Sequence, residues 1–303
     1  AEVRSWMSHQ HGRQWRSLQD TADATARDQD DQAGWAGWRR STDFYPEGQL
    51  LWLDVDASIR KLSGNQRSLD DFAKAFFAGA ASRTHVQAYT FDDVVALLNR
   101  VQPNDWRQFL RQRLDQLGAD LPEQGLARSG WQLVYSSTPS AYAEAMRARG
   151  EDLGVAYALG LLVSDNGVIR DVAWDGPAFR AGLAPGMQIR SVNAMPWSAA
   201  LLHDAIASAQ TPASTVASVA GSSPAAVPVV DGDLGAGLEH ALTLQVSDRD
   251  RNFTLTLNYH GGLRYPRLQR VPGQPDFLHA SIAARAAMAS ASASSSAPGV
   301  SSH

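Results

Sequence analysis

The sequence predicts an α+β protein in two successive parts, an α-helical bundle followed by a small β-domain. Three observations predict it. Apolar residues recur at helical spacing up to about residue 117, and short alternating runs replace them after Gly130. The run Asp175 to Asn193, DGPAFRAGLAPGMQIRSVN, sets out a helix, a turn and a strand with their punctuation in place. A length of 303 residues suits about two domains. With 44% hydrophobic and 19% charged residues the composition is globular. No stretch reaches the ~20 apolar residues of a membrane-spanning helix, so no span is expected. A net charge of −4 supplies no basic field, which argues against nucleic acid as a partner. The chain has no cysteine, excluding disulfides, thiolate nucleophiles and cysteine-bound zinc while leaving the compartment open. Its first residues, AEVRSWMSHQHGRQW, show neither an initiator Met nor an apolar signal and read as a processed start.

From Ser17 to Leu117 each helical segment carries its own signals. A helix from Glu47 to Leu62 places Leu51, Val55, Ile59 and Leu62 on one face. Ser68-Leu-Asp-Asp71 has the spacing of a capping box, followed by Phe72, Ala73, Phe76 and Phe77. Thr90-Phe-Asp-Asp93 repeats the device ahead of Val94, Leu97, Leu98 and Val101. Pro103-Asn104 opens a further helix with Trp106, Phe109, Leu110, Leu114 and Leu117 on its apolar face. The paired acids Asp70/Asp71 and Asp92/Asp93 read as first-turn acids opposing a helix dipole, not as metal ligands. Asp54 and Asp56 are two apart on a helix and face different ways, so at least one is expected in solvent.

The predicted strands are Trp131 to Tyr135, Leu159 to Ser164, Val168 to Val172, Gln188 to Val192, Leu242 to Val246 and Phe253 to Leu257, with SDRDRN turning the last two into a hairpin. A helix spans Ala199 to Ala209. The domains expected are 1–130, helical, and 131–277, β-rich. Within the second, Thr211 to Leu238 is rich in Ala, Ser, Pro and Val without period and reads as a flexible insertion. Residues 278–303 form a tail of mostly Ala and Ser, expected to be largely disordered.

In DGPAFRAGLAPGMQIRSVN, Pro177 suits the first turn of a short helix, Gly182 a left-handed end, and Pro185-Gly186 the turn into the strand Met187 to Val192. The run resembles a PDZ domain, a small β-barrel that captures an extended peptide beside an exposed strand. Tyr157-Ala-Leu-Gly-Leu161 is similar to that family's carboxylate-binding loop. Gly160 would let a terminal carboxylate approach the backbone amides while Leu159 and Leu161 line a pocket, opposite Leu202 and Ile206 on the following helix. The resemblance implies a C-terminal peptide or a peptide substrate as ligand. Packing of the groove against the rest of the chain is the other reading, with Leu159 and Leu161 as plain core.

Ahead of that run stand WRSLQDTA, a Trp-rich stretch, YPEGQLLWLDVD, RSLDDFAKAFF and YTFDDVVALLN, and behind it YHGGLRYPRLQRVPGQPD. In this order they resemble the C-terminal part of the glycyl aminopeptidases, bacterial zinc metalloproteases of the thermolysin-like superfamily with an appended PDZ domain. The likeness runs from Trp15 to Phe277, outside the 211–238 insertion. It implies a thermolysin-like helical subdomain followed by PDZ. In that family zinc is held by HExxH and a downstream Glu, and a tyrosine of a Tyr-x-x-Gly motif helps bind the developing oxyanion. Tyr45, in Tyr45-Pro-Glu-Gly48, matches that tyrosine, and a phenol protonated at neutral pH can donate the required hydrogen bond. The departure is plain: none of the eight histidines sits in an HExxH. His9-Gln-His11 reads as a polar, exposed entry segment. The resemblance therefore implies a hydrolase whose zinc-binding N-terminal half lies elsewhere, the chain alone being inactive and binding no metal. A stand-alone PDZ scaffold without catalysis is the alternative. Export to the periplasm or outside the cell is implied by the resemblance only.

Overall fold

A computed structural model describes residues 1–9, 11–24, 34–40, 43–77, 88–118, 123–209 and 241–281. The insertion at 211–238 and the tail beyond 281 lie outside them. The fold is mixed α+β, as expected, with helices first and small antiparallel sheets after.

The helical part comprises α1 (Glu2–Ser8), a 3-10 turn (His11–Gln14), α2 (Leu18–Ala24), α3 (Ala36–Arg39), α4 (Phe44–Leu62), α5 (Leu69–Phe77), α6 (Phe91–Val101), α7 (Trp106–Asp115) and α8 (Glu123–Arg128). Its core gathers Val55 and Ile59 of α4, Phe72, Leu97, Leu98, Trp106 and Leu110. The capping box at Thr90 is complete: Thr90 Oγ1 accepts from the Asp93 N–H, and Asp93 accepts from the Thr90 N–H at 2.8 Å. At Ser68 only half of the box forms: the Ser68 N–H donates to Asp71 at 2.9 Å, but Ser68 Oγ accepts from the Asp70 N–H at 3.2 Å, while the Asp71 N–H donates to the Ser68 carbonyl at 3.1 Å.

Several expectations at helix ends need correction. Leu62 is exposed because it is the last residue of α4, a turn beyond the core that holds Ile59. Leu117 is exposed because α7 stops at Asp115, and Phe77 because it closes α5. The third of these helices starts at Trp106 with Asp105, not Asn104, as its cap; Asp105 accepts from the Gln108 N–H at 3.0 Å.

Asp54 and Asp56 are both buried, so neither is solvated. Asp54 is held by Arg113 and Arg128 and pressed against Gly125 of α8, where an added Cβ would stand 2.8 Å from the Asp54 backbone. Asp56 accepts from Arg60 at 2.8 Å, from the Leu69 N–H at 2.7 Å and from Ser281 Oγ at 2.6 Å. Opposite faces of a helix can both be interior when long cations reach them, and a buried carboxylate then needs those partners. The entry segment is likewise structured: α1 forms there, Met7 and Arg13 are buried, and His9 is half-buried with Nδ1 2.7 Å from the Ser5 carbonyl oxygen.

The second part comprises β1 (Trp131–Ser136), α9 (Ala141–Arg147), α10 (Leu153–Leu159), β2 (Leu161–Val163), β3 (Ile169–Val172), α11 (Pro177–Arg180), β4 (Gln188–Val192), β5 (Met195–Pro196), α12 (Ala199–Ser208), β6 (Leu242–Asp248), β7 (Arg251–Leu257) and β8 (Tyr265–Arg270). The sheets are β1-β8, β2-β3 and β5-β4-β6-β7. They do not close into a barrel among the described residues, although a bridge between Val168 and Gln188 ties the β2-β3 hairpin to β4. SDRDRN turns β6 into β7, with Asp248 opposite Arg251. Pro177 stands at the first position of α11, and Gly182 (φ 92°) ends it while the Leu183 N–H returns to the Ala178 carbonyl at 3.0 Å.

The strand expected from Leu159 begins only at Leu161. Asp152 accepts from the Val155 N–H at 3.2 Å and so starts a helix, α10, that Gly160 (φ 69°) stops. The chain returns to the helical part at both ends of this region, since β1 packs on α8 and β8 on α1. Trp131 Nε1 donates to Asp276 at 2.9 Å. Among the described residues no helix is long and apolar enough to cross a membrane.

Candidate functional site

Tyr45 stands on the first turn of α4, 70% exposed, with its ring centroid 4.4 Å from that of Phe44. Two residues on, Glu47 turns into the interior at 4% exposure. One carboxylate oxygen of Glu47 accepts from Arg13 and the other from Arg40 at 2.5 Å. Arg40 also donates to Asp43 at 2.9 Å and to the Arg16 carbonyl, so one guanidinium joins three stretches of chain. Arg13 further reaches the Gln116 carbonyl at 3.5 Å. Gly12 is required beside this cluster, because a Cβ there would lie 2.1 Å from the Trp38 carbonyl oxygen.

The electrostatics follow from burial. Desolvation lowers Arg13 to about 10, helped by the neighbouring Arg40. It lowers Arg40 as well, against the pull of Asp43, and pushes the Asp43 carboxyl up despite its hydrogen bond to Arg40. The exposed phenol of Tyr45 therefore rides on a helix start held by buried charge, with free space around the following Gly48.

The residues nominated for a peptide groove come together differently. Leu159, Leu161, Leu202 and Ile206 all belong to one apolar core, each at 2% exposure or less. Gly160 caps α10, and a Cβ there would meet that of Ala173 at 2.7 Å. β2 pairs with β3 on one side and, among the described residues, has no strand on its other edge. Next to the loop lies a small cleft of about 40 Å³, lined by Trp6, His9, Gly37, Tyr157, Gly160 and Asp171 among others. That volume suits water rather than a peptide side chain. Burial lowers His9 and raises Asp171, the latter against hydrogen bonds from the Val172, Trp35 and Ala36 amides.

Sequence reasoning missed the groups that fix these places. Arg13 and Arg40 reach Glu47 from 34 and 7 residues away, and Asp171 accepts from the Trp35 N–H across 136. His203 of α12 lies 2.6 Å from Asp152, the cap of α10, and so ties the helix that carries Leu159 to the one that carries Leu202 and Ile206. Only Asp152 left a signal, as a capping residue three positions ahead of Val155. Among the described residues, no three His, Asp or Glu side chains are grouped so as to hold a metal ion.

No family model matches the chain, and no curated protein matches it. Among solved structures, the chain is similar to the crystal structure of an aminopeptidase N family protein from Idiomarina loihiensis, at 18% identity and a TM-score of 0.48. The match covers 87% of this chain and 43% of that one, so this chain spans less than half of that protein's length.

Proposed function

We propose that this chain is the C-terminal portion of a zinc-dependent aminopeptidase of the glycyl aminopeptidase type, and that Tyr45 is its catalytic tyrosine. The observation that carries the reading is the contrast within Tyr45-Pro-Glu-Gly48: an exposed phenol beside a carboxylate locked between two buried arginines. An exposed residue on a rigid helix start is placed to meet a substrate.

The described residues do not fit a zinc ion, since no three suitable donors are grouped. The zinc-binding half is therefore proposed as a separate stretch of the intact enzyme. Within that enzyme the Tyr45 hydroxyl donates a hydrogen bond to the carbonyl oxygen of the first peptide bond as charge develops there. Its phenol supplies a donor worth more in the transition state than in the bound substrate, which raises turnover without tightening binding. The substrate is a peptide with a small N-terminal residue. Residues 131–277 are proposed as a PDZ-like domain, supported by the Pro177 helix with its Gly182 end and by an edge of β2 that has no strand beside it among the described residues.

The test is hydrolysis of a glycyl amide by this chain joined to the zinc-binding half. Tyr45→Phe should lower kcat by roughly 10²–10³-fold with little change in KM, the usual effect of removing one oxyanion donor. A kcat within about twofold of the unsubstituted enzyme would remove Tyr45 from the mechanism.

A further inference from the structure

The segment from Gly34 to Arg40 is held in a conformation that its own residues disfavour. Trp35 (φ 57°) and Arg40 (φ 56°), at the two ends of α3, both lie in the left-handed region, where a side chain is strained. Such conformations persist where surrounding contacts over-determine them.

Here the two ends are fixed by different parts of the molecule. Arg40 is fully buried in the helical part, paired with Asp43 and Glu47. Trp35 is fixed by the β-rich part: its N–H donates to Asp171 Oδ1 at 2.7 Å, and its ring meets Phe179 edge-on at 5.6 Å. Between them Trp38 stacks on Trp174, centroids 4.4 Å apart and planes 25° from parallel. Ahead of them Gly34 packs so closely on Pro185 that a Cβ would lie 2.7 Å from the proline ring. Gly37 then forms one wall of the cleft beside Gly160 and Ala173.

We propose that Gly34–Arg40 is a latch: anchored at Arg40, it clips onto Asp171 and Trp174, holds the helical part against the β2-β3 hairpin, and on release uncovers the cleft at Gly160. Both ends are strained, and the Trp35 end is the one that lets go because it is only half-buried whereas the Arg40 end is sealed among buried ion pairs. This role is independent of the peptidase reading, since it requires no ligand or upstream sequence.

Amide hydrogen exchange on the chain tests the latch by substituting one side and reading the other. Asp171→Ala should speed exchange at Arg39 and Arg40, whose N–H groups bond to Trp35 and Ala36, by about tenfold or more. Trp38→Leu should do the same at Gly160 and Ala173, whose N–H groups bond to Ala156 and Gly160. Amides of α6 serve as the reference and should stay within about twofold. If each substitution loosens only its own side, or if α6 accelerates equally, the latch is overturned. Should Asp171→Ala fail to fold, Trp38→Leu alone decides by the same criteria.

Discussion

The two cores of this molecule are assembled by opposite means. The helical core around Val55, Leu98 and Trp106 is built from consecutive helices that pack on their sequence neighbours, α4 on α5, α5 on α6 and α6 on α7. The β-rich core around Leu159, Ile189 and Leu244 depends on pairings across long stretches of chain, β4 with β6 and β1 with β8. The polar interior of the helical part departs from its local pattern. The buried charges of α4 are matched by distant arginines, Glu47 by Arg13 and Asp54 by Arg113 and Arg128. Local apolar packing can therefore place a helix without saying which ion pairs its other faces will hold.

Removing one buried charge should cost the helical part more than any apolar truncation of similar size. Glu47→Ala leaves Arg13 buried without a carboxylate and Arg40 with Asp43 alone, and should destabilise the fold by about 3–5 kcal/mol, read from urea unfolding. A loss below about 1 kcal/mol would mean that water reaches the arginines and that the cluster is not a buried one.

Next come the two cores themselves. Leu98→Ala and Leu244→Ala each empty a fully buried site, and each should cost about 2–5 kcal/mol. Followed by calorimetry, both should shift one shared transition if the contacts at Trp35, Asp171 and Trp174 couple the parts. Separate transitions would show two independent units.

The smallest effects distinguish the caps. Thr90→Ala in α6 and Ser198→Ala in α12 each remove an N-cap bond and should cost about 1 kcal/mol by denaturant titration. Only the first should depend on pH. Hydrogen bonds from the Thr90 side chain and amide hold the Asp93 carboxyl below its ordinary value. A depressed carboxyl pKa contributes stability that is present above the ordinary carboxylate value and is lost as pH falls through the folded one. The difference between Thr90→Ala and the parent should accordingly shrink in acid, while that of Ser198→Ala should not. Equal behaviour of the two would show that the Asp93 bond is not formed in solution.

The legible parts of the sequence were those whose physics closes within a few residues. The Thr90 box, Pro177 with Gly182, and the β6-β7 turn each involve partners within about a turn of helix or a tight loop. The strand expected from Leu159 was misplaced even though Asp152 marked a helix start, because an apolar run as short as Val155 to Leu161 does not by itself distinguish strand from helix end. Tyr45 was nominated by its motif, but that it is exposed while Glu47 is buried could not be read from spacing, since both stand on the same helical turn.

Local sequence signals sufficed for the α+β order, the Thr90 cap, the Gly182 and Gly186 turns, and the apolar stripes that became two cores. Tertiary structure alone decided that Asp54 and Asp56 are both interior, that Gly160 ends a helix beside Ala173, and that Trp35 is drawn to Asp171. The reason is range. Caps and periodicity are set by backbone geometry over three or four residues, whereas burying a charge or straining a backbone is tolerable only when a partner far along the chain arrives to compensate it.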